Sequence, residues 1–488
     1  MAEYDFDIGV IGGGAAGLTV SAGSSQFGAK TLLVEKEKIL GGDCLHYGCV
    51  PSKTLIKSAK VYHLLKNTLK YGLPEIKVPP VEYSKIGERI KSVIDTIQKH
   101  DSEDRFCSLG VQVVYGLPSF LDSHTIELEG KRYSAKKWVI ATGSSPAIPK
   151  LNGLETIPFI TNKEIYSLSE LPEEIIILGA GPIAVEMAQA FCRLGSKVIV
   201  IQRSGQILSK EDKDMADTVM DILASEGVEF YLNSSVLNVN RIGNEVEITI
   251  KNKDGEESKL KAEKLLVAMG RSPNLDGLKL EKAGVEYDKK GVKVDSRLRT
   301  SRKHIYAAGD VTGKYQFTHA AGYEGSIVIS NAIFHLPRKT DYAFLPWCTY
   351  TDPELASIGL NEKRAGDAGI KYSVWTEEFK NNDRSLAEGE ESGRIKMILD
   401  EKEKPIGVQI LGQNGGDLIG EWVAVLNSKM KLMNLGSAVH PYPTLVEINK
   451  RVAGNFLSTK LFSKKVQKGL KFIFHLKGRA CEPGGEYR

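Results

Sequence analysis

The sequence predicts an α/β fold that contains two βαβ units and is followed by a separate α+β domain. Two glycine-rich turns carry this prediction, because each lies between an apolar, strand-like run and a helical run. The first turn follows the run Phe6 to Ile11, and the second follows Glu174 to Leu178. From about Pro346 the pattern changes to alternating strands, which precede a helix around Leu418 to Met430. A chain of 488 residues has room for three or four domains.

The composition is typical of a soluble globular protein and indicates no nucleic-acid partner. Hydrophobic residues make up 42% of the chain and charged residues 26%, and the formal net charge is only +4. The N-terminus lacks the basic start and the apolar stretch of a signal peptide. The most apolar window, 175–191, contains glycine, proline and glutamate, so it indicates a strand and a helix start rather than a membrane span. We therefore expect a cytoplasmic protein.

The first glycine turn is predicted to hold the pyrophosphate of FAD. Gly12 permits the tight turn, Gly14 lets the backbone approach the phosphates, and Gly17 lets the helix pack against the strand. The helix N-terminus adds free N–H groups and a partial positive charge. Glu35 ends the second strand, where an acid accepts hydrogen bonds from the adenosine ribose.

The second glycine turn, Gly179-Ala180-Gly181-Pro182-Ile183-Ala184, is predicted to bind the nicotinamide nucleotide. Together the two turns predict two Rossmann-like domains. An acid after the next strand would bind the ribose 2′-hydroxyl of NADH, whereas an uncharged residue beside an arginine accepts the 2′-phosphate of NADPH. Here Gln202 and Arg203 stand at that place, which predicts NADPH as the preferred nucleotide and NADH as the other. The alternative is that Arg203 is a solvated surface residue.

Two of the six cysteines, Cys44 and Cys49, lie close together in the sequence. On a helix this spacing puts both sulfurs on one face, about one turn apart, where a reducible disulfide can cycle with a dithiol. A zinc site is the alternative, but it needs two more Cys or His ligands at a suitable spacing, and none stands out. We therefore predict no bound metal. Three others are predicted to be small buried hydrophobic residues: Cys107, Cys192 and Cys348.

The run from Gly41 to Lys53, GGDCLHYGCVPSK, resembles the active-site signature of the class I pyridine nucleotide–disulfide oxidoreductases. That family includes glutathione reductase, dihydrolipoamide dehydrogenase and mercuric reductase. The resemblance extends to about residue 460 and implies a glutathione reductase-like fold with FAD, NAD(P) and C-terminal dimerisation domains. It implies FAD-binding segments at 1–150 and 275–345, a nucleotide-binding domain at 151–274, and a dimerisation domain at 346–460.

The resemblance also implies roles for the residues around the cysteines. Hydride from NADPH passes to FAD, and the electrons pass on to the Cys44–Cys49 disulfide. Cys49 would be the thiolate against the flavin, and Cys44 the sulfur that attacks the substrate. Lys53 would lie near the flavin N5, with Glu186 as its partner. A nearby ammonium group also lowers the pKa of a thiol, which agrees with these roles.

Further cofactor contacts are implied in three segments. Asp310 would bind the ribitol chain, and a helix that begins near Thr318, His319 and Ala320 would point its N-terminus at the flavin. For His319, a role as a helix-start residue without chemistry of its own is equally open. The strand ends at Thr142-Gly143 and Gly270 form similar tight turns and are further candidates for cofactor contact.

The C-terminal domain departs from the family pattern at its catalytic base. In disulfide-reducing members, a His–Glu pair of the partner subunit relays a proton to the attacking sulfur. Alignment on Pro443-Thr444 and Glu447 puts Tyr442 at the base position. His440 lies two residues earlier, about 6–7 Å away on an extended segment. We expect Tyr442 and Glu447 to complete the site of the other subunit in a homodimer.

A tyrosine at the base position resembles the mercuric reductase branch, although the paired C-terminal cysteines of that enzyme are reduced here to Cys481. The sequence therefore predicts a mercuric reductase-like enzyme whose acceptor is a small-molecule thiol or disulfide compound or a metal ion. One alternative is a dihydrolipoamide dehydrogenase. Another is a flavin redox sensor or a membrane-docked electron-transfer subunit.

The C-terminal tail, 461–488, predicts a basic amphipathic helix. Its lysines alternate with apolar residues, a pattern found in segments that lie on membrane surfaces. The functional interpretation is peripheral contact with an anionic membrane or with a partner protein. The alternative is a helix packed on the protein's own surface.

Overall fold

The computed structural model describes residues 4–478 and 480, and the chain divides into two compact units. The first unit comprises Met1–Tyr342 and Thr349–Thr351, and the second Ala343–Cys348 and Asp352–Arg488. The boundary lies close to the predicted start of the dimerisation domain. The bounds of the predicted segments 1–150, 151–274 and 275–345 stay predictions.

The helices and strands of the described residues follow in chain order. The strands are β1 (Phe6–Ile11), β2 (Thr31–Glu35), β3 (Val111–Tyr115), β4 (Ser119–Phe120), β5 (Thr125–Leu128), β6 (Lys131–Ile140), β7 (Ser144–Pro146), β8 (Glu174–Leu178), β9 (Lys197–Ile201), β10 (Glu229–Tyr231), β11 (Ser235–Ile242), β12 (Glu245–Lys251), β13 (Glu257–Ala262), β14 (Lys264–Val267), β15 (Arg271–Pro273), β16 (Tyr287–Asp288), β17 (Gly291–Val292), β18 (Ile305–Ala307), β19 (Pro346–Thr349), β20 (Glu354–Gly359), β21 (Tyr372–Glu378), β22 (Arg394–Asp400) and β23 (Pro405–Gly412). The α-helices are α1 (Ala15–Gln26), α2 (Gly42–His46), α3 (Cys49–Lys66), α4 (Tyr83–Gln98), α5 (Glu103–Ser108), α6 (Pro182–Leu194), α7 (Lys213–Ser225), α8 (Thr318–Ala332), α9 (Glu362–Asp367), α10 (Asp383–Glu388), α11 (Gly415–Asn427), α12 (Leu432–Ser437), α13 (Glu447–Leu461) and α14 (Lys464–Phe474).

The first βαβ unit lies at the centre of a sheet with the strand order β3-β2-β1-β6-β5-β4, in which β18 also pairs with β6. β1 pairs in parallel with both β2 and β6. Its residues Ile8 and Val10 are fully buried, as expected for a parallel strand covered on both faces. An added Cβ at Gly17 would lie 1.8 Å from the Gly12 carbonyl oxygen, so only glycine lets α1 pack this closely on the turn.

The second βαβ unit forms its own parallel sheet, β10-β9-β8-β14, with α6 after β8. Gly179 has φ +100°, and Ala184 is fully buried where α6 packs on the sheet. The antiparallel strands β11 to β13 contribute to the same hydrophobic core. The two predicted units are therefore both present, and the predicted fold class is confirmed.

The second compact unit is built on the five-stranded sheet β19-β20-β23-β22-β21. The pairings of β20, β21, β22 and β23 are antiparallel. Side chains of α11 and α13 pack with the sheet in one core, which includes Met397, Trp422 and Val452. The helix predicted around 418–430 is α11, which begins and ends about three residues earlier. This unit is the predicted α+β domain.

The tail forms the helix α14, none of whose residues is buried. Among the described residues, none of the helices is both long and apolar enough to span a bilayer. Cys481 lies outside the described residues. The prediction that the three remaining cysteines are buried was wrong for Cys107, which is exposed, while Cys192 and Cys348 are only partly buried. Cys107 lies near the end of the short helix α5, whose buried residue is Phe106 instead.

Candidate active site

The first glycine turn is shaped to accept an anion. No side chain caps the N-terminus of α1, so the amides of its first turn are left for an external partner. An added Cβ at Gly14 would meet only the Gly42 Cα, at 3.9 Å, which leaves the turn open on that side. Glu35 is buried and accepts a hydrogen bond of 2.5 Å from the Gly13 amide. The residues present at this turn therefore fit a dinucleotide.

The two redox cysteines lie on either side of a break between two helices. Cys44 is in α2, and Cys49 is the first residue of α3, with Tyr47 and Gly48 between the helices. The expectation of one continuous helix was wrong, because the backbone of Gly48 leaves the helical region at φ −125° and ψ −111°. The sulfurs nevertheless hydrogen-bond to each other.

The two sulfurs differ strongly in acidity. The hydrogen bond from Cys44 lowers the pKa of Cys49 to about 6, helped by the Thr318 hydroxyl and the Lys53 charge and opposed by burial and Glu186. The same hydrogen bond, together with burial, raises the pKa of Cys44 above its ordinary value. Near neutral pH this arrangement holds Cys49 as a thiolate and Cys44 as a thiol.

Helix α8 reaches this site through its first residue. The Thr318 hydroxyl lies 3.3 Å from the Cys49 sulfur, a contact that the sequence did not predict. The helix begins at Thr318 as expected, and no side chain caps its N-terminus. His319 is exposed and stacks on Phe317, and Ala320 is fully buried.

Lys53 follows Cys49 by about one turn of α3 and lies in a small charged cluster. Its ammonium group donates to the Glu186 carboxylate at 2.9 Å, so the pair implied by the family resemblance is present. The Glu186 side chain is only 4% exposed, and its second oxygen accepts a hydrogen bond from the Tyr350 amide at 2.9 Å. The Lys53 ammonium also lies 4.3 Å from the centre of the Tyr350 ring, a cation–π contact. Sequence reasoning missed Tyr350, because it lies far along the chain.

Asp310 belongs to a second charged cluster, which sequence reasoning also missed. It accepts a hydrogen bond of 2.5 Å from the Ser144 hydroxyl and lies 3.7 Å from the Arg271 guanidinium. Burial raises the pKa of Asp310, while Ser144 and Arg271 oppose that shift. Arg271 also forms an ion pair of 3.0 Å with Asp43, the residue before Cys44.

The candidate turns at Thr142-Gly143 and Gly270 lie side by side. Asn274 donates to the Thr142 carbonyl at 2.8 Å, and the Thr142 hydroxyl donates back to the Asn274 carbonyl at 2.7 Å. Gly143 and Gly270 both have positive φ, +68° and +111°, and an added Cβ at either would meet nothing within 4 Å. Both turns therefore have an open side on which a cofactor can lie.

The nucleotide turn of the second βαβ unit is open in the same way. An added Cβ at Gly181 would meet nothing within 4 Å, and no side chain caps α6. Gln202 follows β9 and donates to the Ser204 hydroxyl at 2.7 Å. Arg203 is exposed. No carboxylate occupies the position of Gln202, in agreement with the sequence.

In the second unit, Tyr442 and Glu447 have separate surroundings. Tyr442 is 70% exposed and donates to the Asp383 carboxylate at 2.9 Å, which raises the pKa of its phenol. Glu447 begins α13 and accepts a hydrogen bond from the Thr444 amide at 3.4 Å.

His440, two residues before Tyr442, has a glutamate partner of its own. Its Nε2 lies 2.9 Å from the Glu421 carboxylate, and its side chain is only 9% exposed. The other oxygen of Glu421 accepts a hydrogen bond from Asn449 at 3.0 Å. No sequence motif predicts this pair, since Glu421 lies on α11 and His440 lies in the segment between α12 and α13.

Comparison with known proteins identifies the family. A family model described as pyridine nucleotide-disulphide oxidoreductase matches residues 6–325, and the model of that family's dimerisation domain matches residues 345–453. The chain belongs to this family. It is accordingly an FAD-dependent oxidoreductase that uses NAD(P)H, and its dimerisation domain supports a homodimer.

Individual relatives belong to two enzyme types. Mercuric reductase of Staphylococcus aureus is 32% identical over 468 residues, which cover 96% of this chain and 84% of that protein. A dihydrolipoyl dehydrogenase of Bacillus subtilis is 33% identical over 449 residues, 90% of this chain and 96% of that protein. Among solved structures, the Cu(II) complex of the HOCl-induced flavoprotein disulfide reductase RclA from Escherichia coli matches with a TM-score of 0.83 and 26% identity, over 93% of this chain and 100% of that one.

Proposed function

We propose that this protein is a mercuric reductase-like enzyme that prefers NADPH and delivers electrons from Cys44 and Cys49 to a metal ion or a small disulfide. The supporting observation is the difference between the two sulfurs: the pKa of Cys49 is lowered to about 6, while that of Cys44 is raised. When bound, FAD takes hydride from the nucleotide and passes an electron pair to the disulfide. Opening that disulfide breaks the S–S bond, takes up two electrons and one proton, and leaves a Cys44 thiol and a Cys49 thiolate.

A soft metal ion is the acceptor that this pair of sulfurs suits best. Thiolates are the preferred ligands of soft metals, and the two sulfurs lie within hydrogen-bonding reach of each other. Transfer of two electrons to a bound divalent ion re-forms the disulfide, releases the Cys44 proton and leaves the metal in its reduced state. This reaction needs no general base on the partner subunit. It is therefore compatible with Tyr442, whose raised pKa makes it a poor base near neutral pH.

A second candidate is dihydrolipoamide dehydrogenase activity, and the His440–Glu421 pair favours it. An imidazole held by a carboxylate is the usual proton relay of disulfide chemistry. The pair is present at 2.9 Å, although it is displaced along the chain from the family's base position.

Parallel assays distinguish the two candidates. Purified, FAD-loaded protein is mixed with NADPH and either ionic mercury in excess thiol or lipoamide, and nucleotide oxidation is followed. We expect turnover with mercury and negligible turnover with lipoamide. Lipoamide turnover of tens per second would establish the second candidate instead. Rapid flavin bleaching without turnover of either acceptor would favour a redox sensor.

The preference for NADPH is proposed from the end of β9. Gln202 carries no charge that would repel a 2′-phosphate, and the exposed Arg203 is free to approach one. The ratio of kcat/KM for NADPH and NADH tests this directly. We expect Arg203→Gln to lower kcat/KM for NADPH and to leave that for NADH unchanged. A clear preference of the wild-type protein for NADH would contradict the proposal.

We further propose that α14 contacts an anionic membrane surface. Val466, Leu470 and Ile473 share one helix face by their spacing and are all exposed, while four lysines lie elsewhere on the helix. Sedimentation with anionic and with zwitterionic vesicles tests the idea. We expect the full chain to bind anionic vesicles only, and a chain without residues 461–488 to bind neither. Equal sedimentation of the two chains would contradict it.

A further inference from the structure

A single guanidinium lies between two carboxylates beside the first glycine turn. Arg271 is only 13% exposed in its side chain and pairs with Asp43 at 3.0 Å and with Asp310 at 3.7 Å. The Ser144 hydroxyl accepts a hydrogen bond of 2.7 Å from the Arg271 Nε and donates to Asp310. The three charged side chains therefore form one cluster, in which one positive charge faces two negative charges.

Two close approaches place the residue before each carboxylate against the anion site at the start of α1. An added Cβ at Gly42, directly before Asp43, would lie 2.7 Å from the Gly14 Cα. An added Cβ at Gly309, directly before Asp310, would lie 3.4 Å from the Ala16 Cβ. Gly14 and Ala16 belong to the turn and first helical residues that receive the pyrophosphate in a dinucleotide fold.

Asp43 is held in place rather than free in solvent. Its side chain is 29% exposed, and its second oxygen accepts a hydrogen bond of 3.3 Å from Asn162, which also donates to the Tyr47 carbonyl. An added Cβ at Gly48 would lie 3.2 Å from the Asp43 carboxylate, which further confines it. A carboxylate fixed beside a phosphate site repels the phosphate, because solvent screening there is incomplete.

We propose that Asp43 sets how tightly this enzyme retains FAD: its carboxylate opposes the FAD pyrophosphate and occupies the Arg271 guanidinium that would otherwise favour it. The proposal rests on FAD binding at the first glycine turn. Asp43 is then a residue that tunes cofactor affinity rather than a catalytic residue. Weaker binding of FAD makes the exchange between FAD-loaded and FAD-free protein faster.

The test compares the FAD affinity and the FAD release rate of wild-type protein and Asp43→Asn. Asparagine keeps the size of the side chain and one accepting oxygen, for either Asn162 or Arg271, but removes the charge. Release is followed as the rise in flavin fluorescence after dilution of the FAD-loaded enzyme, and affinity by FAD titration. We expect Asp43→Asn to bind FAD about tenfold more tightly, the scale of one like charge at a partly screened distance.

A matched control separates this effect from the general loss of an ion pair. Asp295 forms a 2.7 Å ion pair with Arg299 in the same compact unit, and Asp295→Asn should leave FAD affinity unchanged. If Asp43 serves only to support the structure, Asp43→Asn removes one of the two ion pairs of Arg271, and FAD affinity stays equal or falls. Either result would overturn the proposal.

Arg271→Gln provides a second variant should Asp43→Asn fold poorly. It leaves Asp43 without its counter-charge, so FAD affinity should fall, and adding Asp43→Asn to it should restore most of the loss. A double variant no tighter than Arg271→Gln alone would also overturn the proposal. Wild-type protein that binds no FAD would instead contradict the proposed function, so the two failures are distinguishable.

Discussion

The surroundings of Cys49 in the first unit and of Tyr442 in the second unit differ in the burial and in the hydrogen bonding of their polar side chains. Glu186 is 4% exposed and accepts hydrogen bonds from two parts of the chain, Lys53 and Tyr350. Tyr442 is 70% exposed and has a single carboxylate partner on the surface, Asp383. Beside Cys49, the Glu186 carboxylate is thus buried and fixed by two donors. The Tyr442 phenol, which we propose to lie on the acceptor side, is open to solvent. Enzymes of one fold differ in substrate through such sites.

The largest expected effect comes from the sulfurs themselves. Cys49→Ser removes the thiolate and the disulfide together, so turnover with any acceptor should fall by on the order of a thousandfold or more. Cys44→Ala should abolish turnover equally, and it also removes the hydrogen bond that contributes most to the low pKa of Cys49. The pKa of Cys49, read from thiolate absorbance against pH, should therefore rise above about 6 in Cys44→Ala. An unchanged pKa would show that another group stabilises the thiolate.

The Lys53–Glu186 pair provides two substitutions that should shift the pKa of Cys49 in opposite directions. Lys53 lowers the pKa of Cys49 and Glu186 raises it, so Lys53→Met should raise that pKa and Glu186→Gln should lower it. Both variants should slow flavin reduction by roughly ten- to a hundredfold, because each leaves its partner without a counter-charge. Stopped-flow absorbance gives the rate, and a thiolate titration gives the pKa. Shifts of the same sign in both variants would contradict the electrostatic account.

Smaller effects are expected from substitutions in the second unit. They distinguish whether Tyr442 or His440 takes part in the reaction with the acceptor. With a metal ion as acceptor, Tyr442→Phe should lower kcat/KM by several-fold, the range of one lost hydrogen bond. His440→Asn should leave it unchanged. With lipoamide, His440→Asn should show the larger loss and should alter the pH profile. A large loss with mercury in His440→Asn would mean that the partly buried pair with Glu421 takes part in the main reaction.

Local sequence patterns were sufficient to predict the residues that lie close together along the chain. The two glycine turns and the cysteine pair follow from short motifs, and the family resemblance implied the start of α8 at Thr318. The break between α2 and α3 was missed, although residues five apart, such as Cys44 and Cys49, lie about 140° apart around a continuous helix and cannot share one face.

Contacts between distant segments could not be predicted in this way. Asp43 pairs with Arg271, Lys53 packs on Tyr350, and His440 pairs with Glu421. In each case the partner lies on a different element, and no periodicity or spacing connects the two. Such pairs depend on how the sheets and helices pack, which a single sequence does not reveal.

The pairing of β7 with β15 has a consequence for how such a chain evolves. These two strands pair antiparallel, Ser144 with Pro273 and Pro146 with Arg271. The two ends of the long stretch of chain between them therefore lie next to each other. A stretch whose ends meet can be exchanged as a cassette without moving the rest of the molecule. Recombination between relatives could therefore replace the nucleotide preference of the enzyme while the redox cysteines stay in place.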